Sequence, residues 1–179
     1  MSDANPPIDL PQPRLISLAA HRDARGSFTE LWRQSAFPAG PSFCQLNLSD
    51  SEDGVLRGLH VHLRQDDYQL VLSGALHVNL VDLRPGQDLR RWTWTLRPGE
   101  ALHVPAGVAH GYWALGPTRA LYLVSAEYDG TDEHGLAWDD PTLALGWPGD
   151  QPLLSVRDQN NPRLVDLRLP GLVGFSSGR

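Results

Sequence analysis

From Leu15 to Ser125 this chain never runs long without a turn-former. Glycine, proline, aspartate and asparagine return about every 8–12 residues, the spacing of an all-β sandwich or barrel. A backbone broken that often cannot carry helices of ordinary length, and helical periodicity is weak throughout. The runs between the turns are Ser27–Trp32, Phe43–Ser49, Val55–Leu63, Gln69–Ser73, Ala75–Leu83, Trp92–Leu96, Ala101–Val104, Gly111–Leu115 and Arg119–Ser125. Several alternate with period two, as half-buried strands do: Leu76, Val78 and Leu80 fall on one side, His77 and Asn79 on the other. The expected fold is all-β, with helical turns only at Arg33–Phe37, Pro141–Leu145 and near Asp158. Residues 1–14, with four prolines, read as an extended arm, residues 15–165 as one domain, and residues 166–179 as a tail frayed at its end.

Bulk properties exclude several roles. A net charge of −6 argues against nucleic acid as a partner. No apolar run is long enough to span a bilayer, and MSDANPPIDLPQP lacks the basic start and apolar stretch of a signal peptide, so neither membrane nor export is expected. A single Cys44 excludes an intrachain disulfide and fits a reducing, cytoplasmic compartment. All 15 basic residues are arginine, so no lysine chemistry is available anywhere.

The stretch Gly54–Gly74, GVLRGLHVHLRQDDYQLVLSG, carries the densest chemistry. His60 and His62 are two apart, so on a strand they share a face, and Val55, Leu56, Leu59, Val61 and Leu63 around them suggest a lined cavity. Two exposed or satisfied histidines are the plainer alternative. The spacing Gly54, His60, His62, Asp67, Gly74, followed by Gly99, Pro105, Gly107, His110, resembles the two motifs of the cupin superfamily, a double-stranded β-helix or jelly roll. Asp67 stands for the usual glutamate, and Ala114 replaces the usual asparagine. The resemblance implies a barrel with His60, His62, Asp67 and His110 at its mouth, a set suited to a divalent metal, although some superfamily members bind none.

A closer resemblance runs through DARGSFTE (Asp23–Glu30), CQLNLSDSEDGVLRGLH (Cys44–His60), VDLRPG (Val81–Gly86), VPAGVAHGYWAL (Val104–Leu115), LYLVSAEYDGTDEHGLAWDDP (Leu121–Pro141), GWP (Gly146–Pro148) and SVRDQNNP (Ser155–Pro162). Together they resemble the dTDP-4-dehydrorhamnose 3,5-epimerase family over about residues 15–165, in the family's order. The resemblance implies a cytoplasmic homodimer of cupin barrels that inverts C3 and/or C5 of a dTDP-4-keto-6-deoxyhexose through an enolate, with no cofactor. It makes His60 the base, Asp158 its carboxylate partner and Tyr122 the proton donor. Arg25 and Arg57 match diphosphate-binding positions. Glu30, Gln45 and Asn47 match polar contacts to nucleotide or sugar, His110 a pocket histidine, and Tyr128 the aromatic that stacks on thymine. Glu133 and Arg157 fill further matching positions, Arg157 where a lysine is usual. Taken singly, each has an ordinary alternative as a core tyrosine, a surface acid or a loop tie.

One position breaks the pattern. The family places a lysine beside the keto group where this chain has Asp67, reversing a charge next to a developing oxyanion. At about 4 Å and an effective dielectric near 20, such a pair is worth roughly 4 kcal/mol. Three readings follow: Arg64 or another arginine swings in, a metal on His60, His62, Asp67 and His110 does the polarising, or the chemistry differs. The last covers single-carbon epimerisation, another keto sugar, a metal-dependent cupin reaction of another class, or a sugar-nucleotide binder without turnover. His60 cannot be ligand and free base in one state.

Overall fold

The computed structural model describes residues 11–37, 40–86 and 88–169. The regular elements run β1 (Arg14–Ser17), β2 (Ala20–Asp23), β3 (Gly26–Thr29), β4 (Gln45–Ser51), β5 (Leu56–Val61) and β6 (Asp67–Ser73). They continue through β7 (Leu76–Asp82), β8 (Arg91–Leu96), β9 (Glu100–Val104), β10 (Val108–Ala114), β11 (Thr118–Val124), β12 (His134–Gly135) and the single-turn helix α1 (Val156–Gln159). One five-stranded sheet has the order β1-β9-β6-β11-β4 and the other β12-β5-β10-β7-β8, while β2 and β3, among the described residues, pair only with each other. Every ladder pairing is antiparallel. Neighbours in sequence repeatedly cross to the other sheet, which wraps the chain as a jelly roll. The expected all-β fold is thus present; helical turns occur at Gln34–Ala36, at α1 and, unanticipated, at Leu164–Asp166, whereas the expected one at Pro141–Leu145 is a turn without a helix.

Three apolar clusters divide the molecule. Between the sheets, Val71, Leu76, Val78, Leu80, Leu96, Leu102, Val104, Val108, Ala114 and Ala120 close one end of the barrel. Outside the second sheet, Leu59, Val61, Val81, Leu83 and Ala109 pack under Leu136, Leu143 and Leu164 from the C-terminal segment. Outside the first, Tyr68, Leu70 and Ala101 are covered by Ile16, Leu18, Trp32, Phe37 and Phe43. β6 and β7 are buried along most of their length, so their polar residues Asp67, Gln69, Asn79 and Asp82 lie inside together with the apolar ones.

On β4 the alternation is inverted. Leu46 and Leu48 are 59% and 55% exposed, while Gln45, Asn47 and Ser49 turn inward. Polar residues pointing into a barrel mean that its interior at this end is a cavity instead of a core. Beyond the ends, Pro13 is buried and Arg14 opens β1, so the expected arm merges into the sheet by its last residue. Its residues 1–10 lie outside the described residues, as do 170–179 of the expected tail; Leu167 and Leu169 pack against the second cluster.

Candidate active site

The open end of the barrel holds a cavity of about 460 Å³. Both sheets line it. β4 gives Gln45, Asn47 and Ser49, β6 gives Asp67 and Gln69, and β11 gives Ala120, Tyr122 and Val124. From the opposite sheet come Arg57 and His60 of β5 and His110 and Tyr112 of β10. His60 and Tyr122 therefore face one space from opposite walls. His62, Gln65, Tyr128, Glu133 and Arg157 complete the rim.

β5 can present His60 because the same strand buries Leu59 and Val61 on its other face. It also approaches β10 closely. Gly58 has φ +129°, and a Cβ there would stand 2.6 Å from Gly111 Cα. Only glycine tolerates both the conformation and the contact, and the approach sets His60 directly opposite His110 in the ladder.

His60 Nε2 lies 2.8 Å from Asp158 Oδ1. The carboxylate comes from α1, whose N-cap Ser155 accepts the Asp158 N–H at 3.0 Å through Oγ. Asp158 is buried, which pushes its pKa up; hydrogen bonding to His60 and to Ser155 outweighs this and holds it below the usual carboxylate range. With Nε2–H given to Asp158, the basic lone pair of His60 is on Nδ1. Tyr122 is pushed up by burial, with Tyr112 and Asp67 adding to the shift, so it keeps its proton at neutral pH.

A second polar group sits beside this pair. Asp67 Oδ2 is 3.1 Å from His110 Nε2, and Asp67 Oδ1 is 3.5 Å from His62 Nδ1. His62 Nε2 contacts Glu133 Oε1 at 3.0 Å, and Glu133 Oε2 accepts from Arg157 Nη1 at 2.8 Å. Burial opposes charging His62, yet Asp67 and Glu133 raise it to about 10. Glu133 is lowered to about 2, first by His62 and then by Arg157 against the opposing effect of burial. Asp67, pushed up by burial, is nonetheless held far below its ordinary value by His110 and His62. His60 does not belong to this cluster: the donor atoms that converge within 4.8 Å are those of His62, Asp67 and His110. The expected four-residue metal set is thus split by Asp158, which takes His60 for itself.

The other expected residues separate into two groups. Arg57, Gln45, Asn47, Tyr128, Glu133, Arg157, Asp67 and His110 border the cavity. Arg57 hydrogen-bonds Ser51 Oγ and Asp50 O, and Gln45 accepts the Tyr128 N–H. Arg25 and Glu30 do not border it. Arg25, its side chain 90% exposed, pairs with Asp23 on the β2–β3 hairpin, and Glu30 pairs with Arg33. Arg64 is likewise turned outward, donating to Thr131 Oγ1 with Asp129 and Asp132 close by, so it supplies no cation at Asp67. Gln65, Gln69, Ser49 and Tyr112 were not anticipated. Three of them follow from the period of a strand: Ser49, Gln69 and Tyr112 lie two residues beyond Asn47, Asp67 and His110.

Comparison with known proteins places this geometry. The sequence model of the family dTDP-4-dehydrorhamnose 3,5-epimerase matches residues 7–166. A dTDP-4-dehydrorhamnose 3,5-epimerase of Mycobacterium tuberculosis is 38% identical over 181 residues, covering 93% of this chain and 90% of the relative. A dTDP-4-dehydrorhamnose 3-epimerase of Streptomyces niveus is 36% identical, covering 84% of this chain and 79% of the relative. A crystal structure of a Legionella pneumophila 3,5-epimerase in complex with dTDP-4-keto-L-rhamnose superposes with a TM-score of 0.79 at 29% identity, covering 86% of this chain and 89% of that one.

Proposed function

Since the chain belongs to the dTDP-4-dehydrorhamnose 3,5-epimerase family, we propose that it inverts C3 and C5 of a dTDP-4-keto-6-deoxyhexose, with His60 as base and Tyr122 as donor. The observation that carries this reading is the His60–Asp158 pair at 2.8 Å on one wall of a cavity whose other wall presents Tyr122. A C–H beside a ketone is acidic because the electron pair left behind spreads onto the carbonyl oxygen. His60 Nδ1 takes that proton, and the imidazolium so formed is stabilised by Asp158 through Nε2–H. Tyr122 returns a proton to the opposite face of the same carbon, and inversion results. His60 then gives its proton up to solvent and Tyr122 regains one, the sugar turns to offer the second carbon, and the cycle repeats. Only protons move, so the step needs no redox cofactor.

Arg57 and Arg157, guanidinium forks at the rim, suit the diphosphate, and the exposed face of Tyr128 suits the base. Arg25 is too far out to serve its own cavity. A homodimer that exchanges the β2–β3 hairpins, which pair with no other strand among the described residues and expose Phe28 to 69%, brings Arg25 to the partner's site. No helix among the described residues is long and apolar enough to cross a membrane; a cytoplasmic enzyme of sugar-nucleotide synthesis is the setting this reading supports.

The test is the configuration of the product. Incubated with dTDP-4-dehydro-6-deoxyglucose, the protein should give a sugar whose ring-proton couplings in the NMR spectrum report inversion at C3 and C5. Couplings that stay those of the substrate would remove the epimerase reading.

A further inference from the structure

Resting on the epimerase reading, we infer that Gln69 donates the hydrogen bond that holds the C4 oxygen of the sugar as its enolate forms. Among the described residues, four amide side chains border the cavity: Gln45, Asn47, Gln65 and Gln69. Three are engaged. Gln45 donates to Asn47 Oδ1 at 2.8 Å and accepts the Tyr128 N–H at 3.0 Å. Gln65 Nε2 donates to Asp67 Oδ1 at 2.8 Å and lies 3.2 Å from His62 Nδ1. Gln69 is only 7% exposed, and its Oε1 is buried with no hydrogen-bond partner among the described residues. A buried amide without a partner destabilises a fold, so its presence calls for a reason. Packing is not that reason. Val71, two residues further along β6, belongs with Leu76 and Ala120 to the apolar cluster that closes the barrel, and Leu102 on β9 is the ladder partner of Gln69. An apolar residue at position 69 would extend that cluster.

The place of Gln69 in the sheet indicates what takes the free amide. In the ladder between β6 and β11 it lies directly opposite Tyr122. Residues so paired share a face of the sheet, with Cβ atoms about 4.5–5.5 Å apart. The amide therefore stands beside the phenol that returns a proton to C3 and C5. C4 is bonded to both carbons, so its oxygen is close to whichever one is reacting. A half-turn about χ3 exchanges the oxygen and the NH2 of the amide in the same space, and the NH2 end is the one that donates to an oxyanion.

As His60 takes the C–H proton, the electron pair of that bond forms a double bond to C4, and the carbonyl π pair moves onto the oxygen. Gln69 keeps its own proton and shares it with that oxygen. When Tyr122 protonates the carbon, the pairs return and the ketone is restored. The neighbours of Gln69 leave this task to it. Asp67, two residues back on the same wall, has both oxygens occupied, Oδ1 by Gln65 at 2.8 Å and Oδ2 by His110 at 3.1 Å. The chain has no lysine, and Arg64 is turned outward to Thr131. A donor of this kind tightens as charge develops, so it lowers the barrier while adding little to ground-state binding.

The test is Gln69→Met, which keeps the length of the side chain and removes the amide, assayed beside the wild type on dTDP-4-dehydro-6-deoxyglucose. Losing one oxyanion donor should lower kcat by about 100–1000-fold with KM little changed. Binding of dTDP, measured by calorimetry, should match the wild type. The melting temperature should hold or rise, because the variant no longer buries an unpartnered amide. A kcat equal to that of the wild type overturns the inference. So does a raised KM at unchanged kcat, which would make Gln69 a contact to a sugar hydroxyl. A fall in kcat accompanied by a lower melting temperature and weakened dTDP binding would make Gln69 a structural residue and overturn it as well. Failure of the epimerase reading would look different: the wild type itself would give no product, and the inference would fall with it.

Discussion

Asp158 Oδ1 meets His60 Nε2 at 2.8 Å although 98 residues of chain separate them. The contact is made by a single-turn helix that Ser155 caps, and the chain leading into it is tied to the start of β5 by the parallel bridge of Val55 with Leu153 and by the hydrogen bond from Leu56 N–H to Leu153 O. In the proposed mechanism Asp158 acts through His60 and is a positioning residue. Asp158→Asn keeps the shape, removes the charge and allows the wrong tautomer. We expect kcat to fall by about 100-fold or more with KM little changed. Unchanged kcat would remove Asp158 from the mechanism.

Tyr122→Phe separates the two proton transfers. Abstraction by His60 continues and solvent deuterium still enters the sugar, but the opposite face has no donor. The expected result is label uptake with retained configuration. Inversion at the wild-type rate would mean that another group is the donor.

Arg57→Ala tests the diphosphate contact. A charge-assisted hydrogen bond is worth roughly 1.5–3 kcal/mol, so KM should rise about 10–100-fold with kcat less affected. An unchanged KM for the nucleotide sugar would move the diphosphate elsewhere.

Hairpin exchange predicts complementation. Arg25→Ala and His60→Ala are each expected to be impaired, but a mixed dimer has one site with an intact His60 and an intact Arg25 from the partner. Mixing the two variants under conditions that let subunits exchange should restore activity. If the mixture is no more active than the two alone, Arg25 does not reach the partner's cavity.

Gly58→Ala probes the close approach of β5 and β10. Backbone strain at φ +129° and a Cβ 2.6 Å from Gly111 Cα should destabilise the fold by about 3 kcal/mol or more. For a domain of this size that is roughly a 6–12 °C fall in melting temperature. A loss under 1 °C would show that the strands can part there at little cost.

Much of this was legible from residue types alone. The turn spacing implied an all-β barrel, and two histidines two residues apart implied a shared face. The strands at β1, β2 and β12 were not legible, because runs of two to four residues, exposed or half-buried throughout, carry no period. The pairing of His60 with Asp158 was reached only through family resemblance, since contacts between distant loops leave no local pattern. Resemblance also brought Arg25 and Glu30 into the site, yet within one subunit they lie outside it. The grouping of four metal-type residues followed spacing, but spacing cannot show which nitrogen is already committed. Burial is what separates His60, at 24% side-chain exposure, from the cluster of His62 and His110 at 7% and 8%.

The most direct test of the central claim is solvent deuterium uptake by the 4-keto sugar nucleotide in heavy water, with wild-type protein and with His60→Ala. The wild type should label both C3 and C5, and His60→Ala should label neither above the rate without protein. Full labelling by His60→Ala would mean that another group removes the proton, and the mechanism built on the His60–Asp158 pair would be wrong.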